Sequence, residues 1–203
     1  MDPNFRNWTT DFRENGYNMA LYGKMDDQTG SHTESERVES WTRNVDFALR
    51  QDPRPVAQTT GDMNTTRVNK KDWENFDRAK NFLGSVSNHS EPFFLYWGIY
   101  SPHPYDSIWE DGPQAGASTF LSSPHYLSRI RQNQISLPKW NDFENEHPVD
   151  KYAIVTKNCS GEFERDEVLA VRKHYYAMLA EVDEMIGNIV NAIPKARVFI
   201  YSY

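Results

Sequence analysis

Apolar residues recur at helical spacing in three stretches of the chain. The first helix is predicted at about Asn7–Asn15, and the second at Lys71–Val86. The third is predicted at Arg165–Ile193, where apolar residues follow at steps of three and four along one face until Pro194 ends the pattern. This third stretch carries the strongest periodicity of the sequence.

Each predicted helix is followed by a short apolar run that predicts a strand. The runs are Tyr17–Tyr22, Pro92–Tyr100 and Arg197–Tyr203. Pro92–Tyr100 shows no polar alternation, which is typical of a strand covered on both faces of a parallel sheet. Three helix-to-strand passages predict an α/β fold, a mostly parallel sheet with flanking helices. In such sheets ligands bind beyond the carboxyl ends of the strands.

The remaining stretches are less regular. Asp26–Ser40 is polar and predicts a loop, while Trp41–Leu49 has apolar spacing that suits a helix or irregular packing against the core. Residues 105–161 are rich in Pro, Ser, Asn and Gly, which predicts a long, mostly irregular insertion. In a compact domain we expect such an insertion to act as a lid that faces the substrate.

Charge and hydropathy narrow the classes of partner. The chain has 22 Lys and Arg against 29 Asp and Glu, a net charge of −7, which argues against a nucleic-acid partner. No apolar run approaches the roughly 20 residues that span a bilayer, so no membrane span is expected. The first residues lack the basic and apolar regions of a signal peptide, so we expect any such signal to lie outside this chain.

Cysteine and glycosylation signals point to different compartments. The single Cys159 cannot form an internal disulfide, which would suit a reducing cytosol. Four Asn-x-Ser/Thr sequons instead favour a lysosomal or secreted glycoprotein, and they begin at Asn7, Asn64, Asn88 and Asn158. We give the sequons more weight because four occur in a chain of 203 residues.

Two residues at predicted strand ends could bind an oxyanion. Lys24 follows the first strand and offers a cation with three donors for sulfate or phosphate, although most lysines are simply solvated. His103 follows the second strand and could donate to a substrate oxygen or protonate a leaving group. A loop histidine that caps a nearby carbonyl is an equally good interpretation. His32 lies in the polar loop, where it could swing over the same pocket.

Other reactive residues have ordinary explanations. Asp26 and Asp27 resemble paired metal ligands, but no third ligand is suitably spaced. Cys159 lacks the His and Asn partners of a thiol nucleophile. On the third helix, Glu181 and its acidic neighbours Asp183 and Glu184 are expected to face solvent or cap the helix. His174, Tyr175 and Tyr176 are expected to pack that helix against the sheet.

Several blocks together resemble a known family. In chain order they are Gly16-Tyr17, Tyr22-Gly23-Lys24, Pro92-Phe93-Phe94-Leu95-Tyr96, Ser101-Pro102-His103-Pro104-Tyr105, and Tyr175-Tyr176-Ala177-Met178 with Glu181 and Asp183. Their order and spacing resemble the sulfatases of the alkaline phosphatase superfamily. Further blocks resemble a lysosomal glucuronate 2-sulfatase of this family, namely Met1-Asp2-Pro3-Asn4, Arg37-Val38-Glu39-Ser40-Trp41-Thr42-Arg43, Leu137-Pro138-Lys139-Trp140, His147-Pro148-Val149-Asp150 and Thr156-Lys157-Asn158-Cys159.

The resemblance implies a hydrolase of sulfate esters that depends on Ca²⁺ and on a cysteine converted to formylglycine. It implies that Lys24 holds a sulfate oxygen and that His103 contacts the leaving or bridging oxygen. The implied substrates are sulfated glycans, with the 2-O-sulfate of glucuronate in glycosaminoglycans as the specific case, and aryl sulfates.

The sequence also departs from the family pattern. Many sulfatases have Gly-Lys-x-His where this chain has Gly23-Lys24-Met25-Asp26, so the second histidine is missing, and His32 is only a speculative replacement. The Cys-x-Pro-x-Arg segment that yields formylglycine and the early Asp pair that binds calcium are absent, and the second metal pair would follow Tyr203. We therefore expect residues 1–203 to be the central part of a sulfatase catalytic domain that is inactive alone.

Two alternatives remain open at this point. A phosphodiesterase of the same superfamily also binds a tetrahedral oxyanion, although the Ser-Pro-His-Pro-Tyr block favours sulfatases. A non-catalytic secreted glycoprotein could use the same basic pocket to bind sulfated glycans, although the net charge of −7 opposes broad polyanion binding.

Overall fold

The computed structural model describes residues 8–24, 54–86, 91–106, 118–139, 143–156, 159 and 163–193. The chain divides into two compact units. The first unit takes in the described parts of Met1–Met25, Asn69–Tyr100 and Asp183–Tyr203. The second takes in those of Asp26–Val68 and Ser101–Val182.

Five helices and five strands lie in the described residues. The helices are α1 (Trp8–Glu14), α2 (Lys70–Val86), α3 (Pro124–Leu127), α4 (Pro148–Thr156) and α5 (Arg165–Ala192). The strands are β1 (Asn18–Gly23), β2 (Val56–Thr59), β3 (Phe93–Gly98), β4 (Tyr105–Asp106) and β5 (Ser118–Ser122). Two short 3₁₀ turns follow α3 at Gln132–Gln134 and Phe143–Asn145.

The first unit is built on the parallel pair β1 and β3. Their register runs from Asn18 opposite Phe93 to Gly23 opposite Gly98, so the two strands end together. Tyr17 N–H bonds back to Phe12 and Gly16 adopts φ 79°, which turns the chain from α1 into β1. The carboxyl ends of both strands therefore lie at one edge.

Helix α1 covers one face of this pair. The even-numbered residues of β3 point to it, and the ring of Phe94 lies 4.5 Å from that of Phe12 and 5.2 Å from that of Trp8. The apolar spacing of Trp8 and Phe12 on one side of the helix makes this packing possible.

Helix α2 covers the opposite face. The odd-numbered residues of β3 point to it: Phe93 lies 6.0 Å from Phe82, and Trp97 lies 6.0 Å from Phe76. Because both faces of β3 are covered, its continuous apolar sequence is explained, as predicted.

The second unit has a three-stranded sheet in the order β2-β5-β4. Strand β2 is parallel to β5, whereas the two residues of β4 are antiparallel to it. Beside the sheet, Val68, Tyr126 and Ala177 form a buried cluster to which half-buried aliphatic side chains are added, namely Leu121, Leu127, Ile130 and Ala180. Tyr126 is fully buried, and its hydroxyl donates to the carbonyl of Thr66 at 2.6 Å.

Most of the regular elements expected from periodicity are present. The three helices and the first two strands match the predictions, and both long pairings are parallel. The described strands form two sheets, and the antiparallel β4 is an exception to the parallel pattern. The predicted strand Arg197–Tyr203 and the segments Asp26–Ser40 and Trp41–Leu49 lie outside the described residues.

Residues 105–161 contain more regular structure than their composition predicted. Strands β4 and β5 and helices α3 and α4 all fall inside this range. Thr119 and Ser122 of β5 are buried although they are polar, so the strand lacks the apolar alternation that sequence reasoning uses. The described part of this range therefore holds regular elements that its composition did not predict, and its role as a lid stays a prediction.

Helix α5 is long enough to cross a bilayer, since 28 residues at 1.5 Å each span about 42 Å. It carries many charged residues, however. Among the described residues, no helix is both long and apolar enough to span a membrane.

Candidate functional site

Lys24 directly follows β1 at the carboxyl edge of the β1/β3 pair. Its backbone N–H donates to the carbonyl of Gly98 at 3.1 Å, and its own carbonyl accepts the hydroxyl of Tyr96 at 3.1 Å. The side chain is half-buried. The backbone of Lys24 is therefore fixed by β3, at the edge where α/β sheets bind ligands.

Two glycines allow this close approach. Gly23 has φ 84°, and a Cβ placed there would overlap the carbonyl oxygen of Gly98. A Cβ on Gly98 would overlap the carbonyl oxygen of Lys24. Any larger residue would push the strand ends apart, so the pair sets where Lys24 emerges.

The chain that leaves β3 is held by the start of α2. The carboxylate of Asp72, which is fully buried, accepts the backbone N–H of Tyr100 at 2.9 Å. The ammonium of Lys71 lies 4.2 Å from the centre of the Tyr100 ring. Asn69 accepts the N–H of Asp72 at 3.2 Å and so caps the helix. The segment that leads to His103 is thus anchored at Tyr100.

His103 lies in the loop between β3 and β4, with an exposed side chain. Its Nδ1 lies 2.7 Å from the carbonyl oxygen of Pro104. A carbonyl can only accept, so Nδ1 carries the proton and Nε2 is the nitrogen left for a substrate. Both interpretations given above for a loop histidine, capping a carbonyl and contacting a substrate, are compatible with this geometry.

The structure describes Lys24 and His103 in different compact units. Their convergence on one oxyanion stays a prediction. His32, the third residue assigned to the pocket, lies outside the described residues, as do Asp26 and Asp27.

His174 of α5 is a buried polar residue of the second unit. Its Nδ1 lies 2.9 Å from the hydroxyl of Ser122 at the end of β5. Burial lowers the pKa of His174 below its ordinary value of 6.5, and the charge of Lys173 lowers it further. Hydrogen bonds to the carbonyls of Phe120 and Gln58 oppose these effects in part. His174 therefore joins α5 to β2 and β5, as the predicted packing role requires.

Glu181 does not face solvent as predicted. Only 1% of it is exposed, and its carboxylate accepts the backbone N–H of Val68 at 2.8 Å. The reason is tertiary, because the loop before α2 brings an N–H to this point of α5. The sequence analysis gave Glu181 only an ordinary helix role, and no local signal marks it as buried.

One of the four sequons can be located. Asn64 is exposed in a turn where the carboxylate of Asp62 accepts its backbone N–H at 2.8 Å. Asn7, Asn88 and Asn158 lie outside the described residues.

No cluster of three or more His, Cys, Asp or Glu side chains among the described residues is suited to hold a metal ion. The calcium site implied by the resemblance is therefore not formed by the part of the chain that the structure describes. Cys159, the single cysteine of the sequence, is half-buried.

The first unit is an α/β layer with a lysine at the carboxyl edge of two parallel strands. The chain matches the family model of the sulfatases over residues 5–201, and it belongs to the sulfatase family. The family resemblance drawn from the motifs is thereby confirmed.

Individual relatives share one name. The chain is 46% identical over 196 residues to arylsulfatase K of Danio rerio, 43% over 195 residues to that of Mus musculus and 41% over 194 residues to that of Homo sapiens. These matches cover 95%, 96% and 95% of this chain, but 37%, 35% and 36% of the relatives. The chain thus spans little more than a third of the length of the curated relatives it matches.

Proposed function

We propose that this chain supplies part of the substrate pocket of a sulfuric ester hydrolase, with Lys24 and His103 as the groups that contact the sulfate ester. Membership of the sulfatase family and similarity to proteins named arylsulfatase K support this. The observation that carries the proposal is the placement of Lys24 at the carboxyl edge of β1 and β3, where it is held by the backbone of Gly98.

Lys24 acts as the electrostatic group. Its ammonium pairs with a non-bridging sulfate oxygen and stabilises the charge that develops as the ester bond breaks. A backbone fixed at the strand edge limits the range of positions that the ammonium can occupy. Its interaction with the transition state therefore requires little reorganisation.

His103 acts on the leaving oxygen. Because Nδ1–H is committed to the Pro104 carbonyl, Nε2 is the nitrogen that we propose contacts the ester. When protonated, Nε2–H donates to the bridging oxygen and can transfer its proton to the departing alcohol. Chain connectivity is compatible with a joint role with Lys24, since His103 lies five positions after Gly98 in the sequence and five extended residues span at most about 18 Å.

The substrate proposed for the complete site is the 2-O-sulfate of glucuronate in glycosaminoglycans, and aryl sulfates are smaller substrates of the same chemistry. Support comes from the sequence blocks shared with a glucuronate 2-sulfatase. We also propose that residues 105–161 face the substrate as a lid.

The 203-residue polypeptide by itself is proposed to turn over no sulfate ester. It has no Cys-x-Pro-x-Arg segment from which formylglycine could form. The calcium implied by the family also finds no fitting side-chain cluster among the described residues. The proposed role of Lys24 and His103 is to bind and orient the ester, and the formylglycine and calcium that the family resemblance implies are not assigned to residues of this chain.

A lysosomal or secreted location is proposed from the sequons. The exposure of Asn64 in a surface turn supports glycan attachment there. Asn7, Asn88 and Asn158 are proposed as further attachment sites from sequence alone.

A chimera tests the proposed activity directly. This chain replaces the matching 196-residue stretch of arylsulfatase K of Danio rerio, and the product is assayed with an aryl sulfate and calcium. The chimera is expected to hydrolyse the ester, whereas the 203-residue chain alone is not. In the chimera, Lys24→Ala and His103→Ala are each expected to lower kcat/KM by about 100-fold or more, as loss of a charge-stabilising or proton-donating group does.

The exposed Arg131 gives a matched charge control, and Arg131→Gln in the chimera should leave kcat/KM unchanged. Full activity of the Lys24→Ala chimera would contradict the role of Lys24. An inactive chimera that still binds a sulfated glycan would favour the non-catalytic glycoprotein alternative.

A further inference from the structure

An open cavity of about 280 Å³ lies in the second unit beside β5 and α5. It is lined by Phe120, Val171, Arg172, Tyr175 and Tyr176. Drug-sized ligands occupy pockets of about 300–1,000 Å³, so this cavity suits one ring rather than a chain of several. Neither Lys24 nor His103 contributes to it.

Aromatic rings dominate the lining. The ring of Tyr175 lies 6.2 Å from that of Phe120 and 6.2 Å from that of Tyr176. Tyr175 is 39% exposed and Tyr176 is 37% exposed, so both rings present accessible faces. Adjacent exposed tyrosines of this kind offer a flat apolar surface with polar tips.

Among the described residues that line the cavity, Arg172 is the one with a charged side chain. Its Nη2 donates to the hydroxyl of Tyr176 at 3.3 Å. Its Nε is buried and has no hydrogen-bond partner. A buried donor without a partner is unfavourable, and a rotation of the Arg172 side chain toward the cavity would let a bound anion accept from Nε–H. The fork of Nε–H and Nη–H matches the paired oxygens of a carboxylate or sulfate.

The local charge favours an anion although the whole chain is acidic. Between Glu167 and Glu181 the sequence of α5 contains Arg172 and Lys173 but no Asp or Glu. The cavity therefore lies beside a helix stretch that carries only basic charge, and local fields of this kind attract anions.

We propose that this cavity binds a single ring that bears a sulfate or carboxylate group. The anionic group pairs with Arg172, and the ring lies against Tyr175 and Tyr176. The choice of a sulfated sugar or aryl sulfate as the source of the ring rests on the proposed function, whereas the pairing of an anion with an aromatic surface rests on the cavity itself.

NMR on the 203-residue chain labelled with ¹⁵N-arginine gives the most direct test. The Nε–Hε signal of Arg172 is identified by its loss in Arg172→Lys. It is expected to shift on titration with p-nitrophenyl sulfate and with glucuronate, and the probe with the lower Kd shows which kind of ring is preferred. Methyl glucoside, a ring without an anion, should cause no shift. Inorganic sulfate, an anion without a ring, should bind at least about fivefold more weakly, as loss of aromatic contact predicts.

Variants test the two halves of the cavity. Arg172→Gln is expected to weaken binding of the preferred probe about tenfold or more, because a charged hydrogen-bond donor is lost. Tyr175→Ala is expected to weaken it about fivefold. Arg131→Gln and Tyr152→Ala are matched controls at exposed positions and should leave Kd unchanged. If Arg172→Gln fails to fold, the Kd of Tyr175→Ala still tests the proposed cavity. The ring of Tyr175 is partly exposed, so its removal should leave the fold intact.

An unmoved Arg172 signal, or equal weakening by the control variants, would overturn the inference. Lys24→Ala separates it from the proposed function. Probe binding that is abolished by Lys24→Ala but kept by Arg172→Gln assigns the probes to the proposed sulfate pocket and rejects this cavity. Probe binding that depends on Arg172, together with an inactive chimera, rejects the proposed function and retains the cavity.

Discussion

The carboxylate of Asp72 and the backbone N–H of Tyr100 form a 2.9 Å hydrogen bond across 28 residues of sequence. The bond joins the first turn of α2 to the chain that leaves β3. The Asp72 side chain is completely buried, so no water can replace the bond. The direction in which the chain continues toward His103 is therefore set, at Tyr100, by a residue of a different element.

Asp72→Ala is expected to lower the free energy of unfolding by about 3 kcal/mol, because it leaves a buried N–H without its charged acceptor. Asp72→Asn keeps an oxygen that can accept from Tyr100, and its loss should be nearer 1 kcal/mol. Urea unfolding of the 203-residue chain measures both. Glu74→Ala, at an exposed position of the same helix, is the control and should stay within about 0.5 kcal/mol of the parent.

Equal destabilisation by the alanine and asparagine variants of Asp72 would contradict the bond to Tyr100. It would show that the negative charge, rather than the hydrogen bond, stabilises the start of α2.

The sequence was sufficient to predict an element where the burial of that element produces a local pattern of apolar residues. β3 is covered by α1 on one face and by α2 on the other, so apolar residues follow one another along the strand. This continuous run predicts the strand from the sequence alone. Helix α5 was visible for the same reason, since its apolar period runs through most of its 28 residues. Lys24 and His103 were selected because they follow the first two predicted strands, and their part in a sulfate pocket stays a prediction.

The sequence was insufficient where polar groups are buried by distant partners. Glu181 is paired with a backbone N–H 113 residues away, and Ser122 is paired with His174 from another element. A local window contains only one member of each pair, so it predicts solvent exposure. Strand β5 was missed for this reason.

Glu181→Ala is expected to lower the free energy of unfolding by about 3 kcal/mol, because the N–H of Val68 loses a charged acceptor in a buried setting. Glu181→Gln retains an acceptor oxygen and should cost less. The exposed neighbour Asp183 provides the control, and Asp183→Asn should have little effect. If the Asp183 variant proves as damaging as Glu181→Ala, the acidic helix surface in general, and not the Val68 bond, would be responsible.

Acid is expected to destabilise the second unit through His174. Since its pKa in the folded chain is below 6.5, the unfolded chain binds the proton first as the pH falls. Stability should be constant above about pH 6.5 with respect to this group. It should fall below that pH by up to about 1.4 kcal/mol per pH unit, and level off once the pH passes the lowered pKa of the folded state.

Replacement of His174 by Gln should flatten this pH dependence, although the variant is less stable at neutral pH. His147→Gln, at an exposed position, should leave the slope intact. Urea midpoints measured between about pH 4.5 and 7.5 distinguish the two. A slope that survives His174→Gln would assign the acid sensitivity to other groups.

Alanine substitutions at three glycines distinguish the free-energy cost of backbone strain from that of steric overlap. One of the three, Gly23, lies at the strand edge that Lys24 follows. Gly187 lies within α5 in open space, so Gly187→Ala should stabilise the chain by about 0.5–1 kcal/mol. Gly16 has φ 79° but no neighbour within 4 Å, and Gly16→Ala should cost about 1 kcal/mol from backbone strain alone. Gly23 has both a positive φ and the carbonyl of Gly98 in the way, so Gly23→Ala should cost more than about 2 kcal/mol.

Of these three substitutions, only Gly23→Ala is expected to change the activity of the chimera. Forcing β1 and β3 apart displaces the Lys24 backbone, so the Gly23→Ala chimera should lose aryl sulfate hydrolysis even at temperatures where it remains folded. The Gly16→Ala chimera should keep its kcat/KM, since the strain there does not move the strand ends. Equal activity of the two folded variants would mean that the close approach of Gly23 and Gly98 does not position Lys24, and that the strand edge contributes only stability.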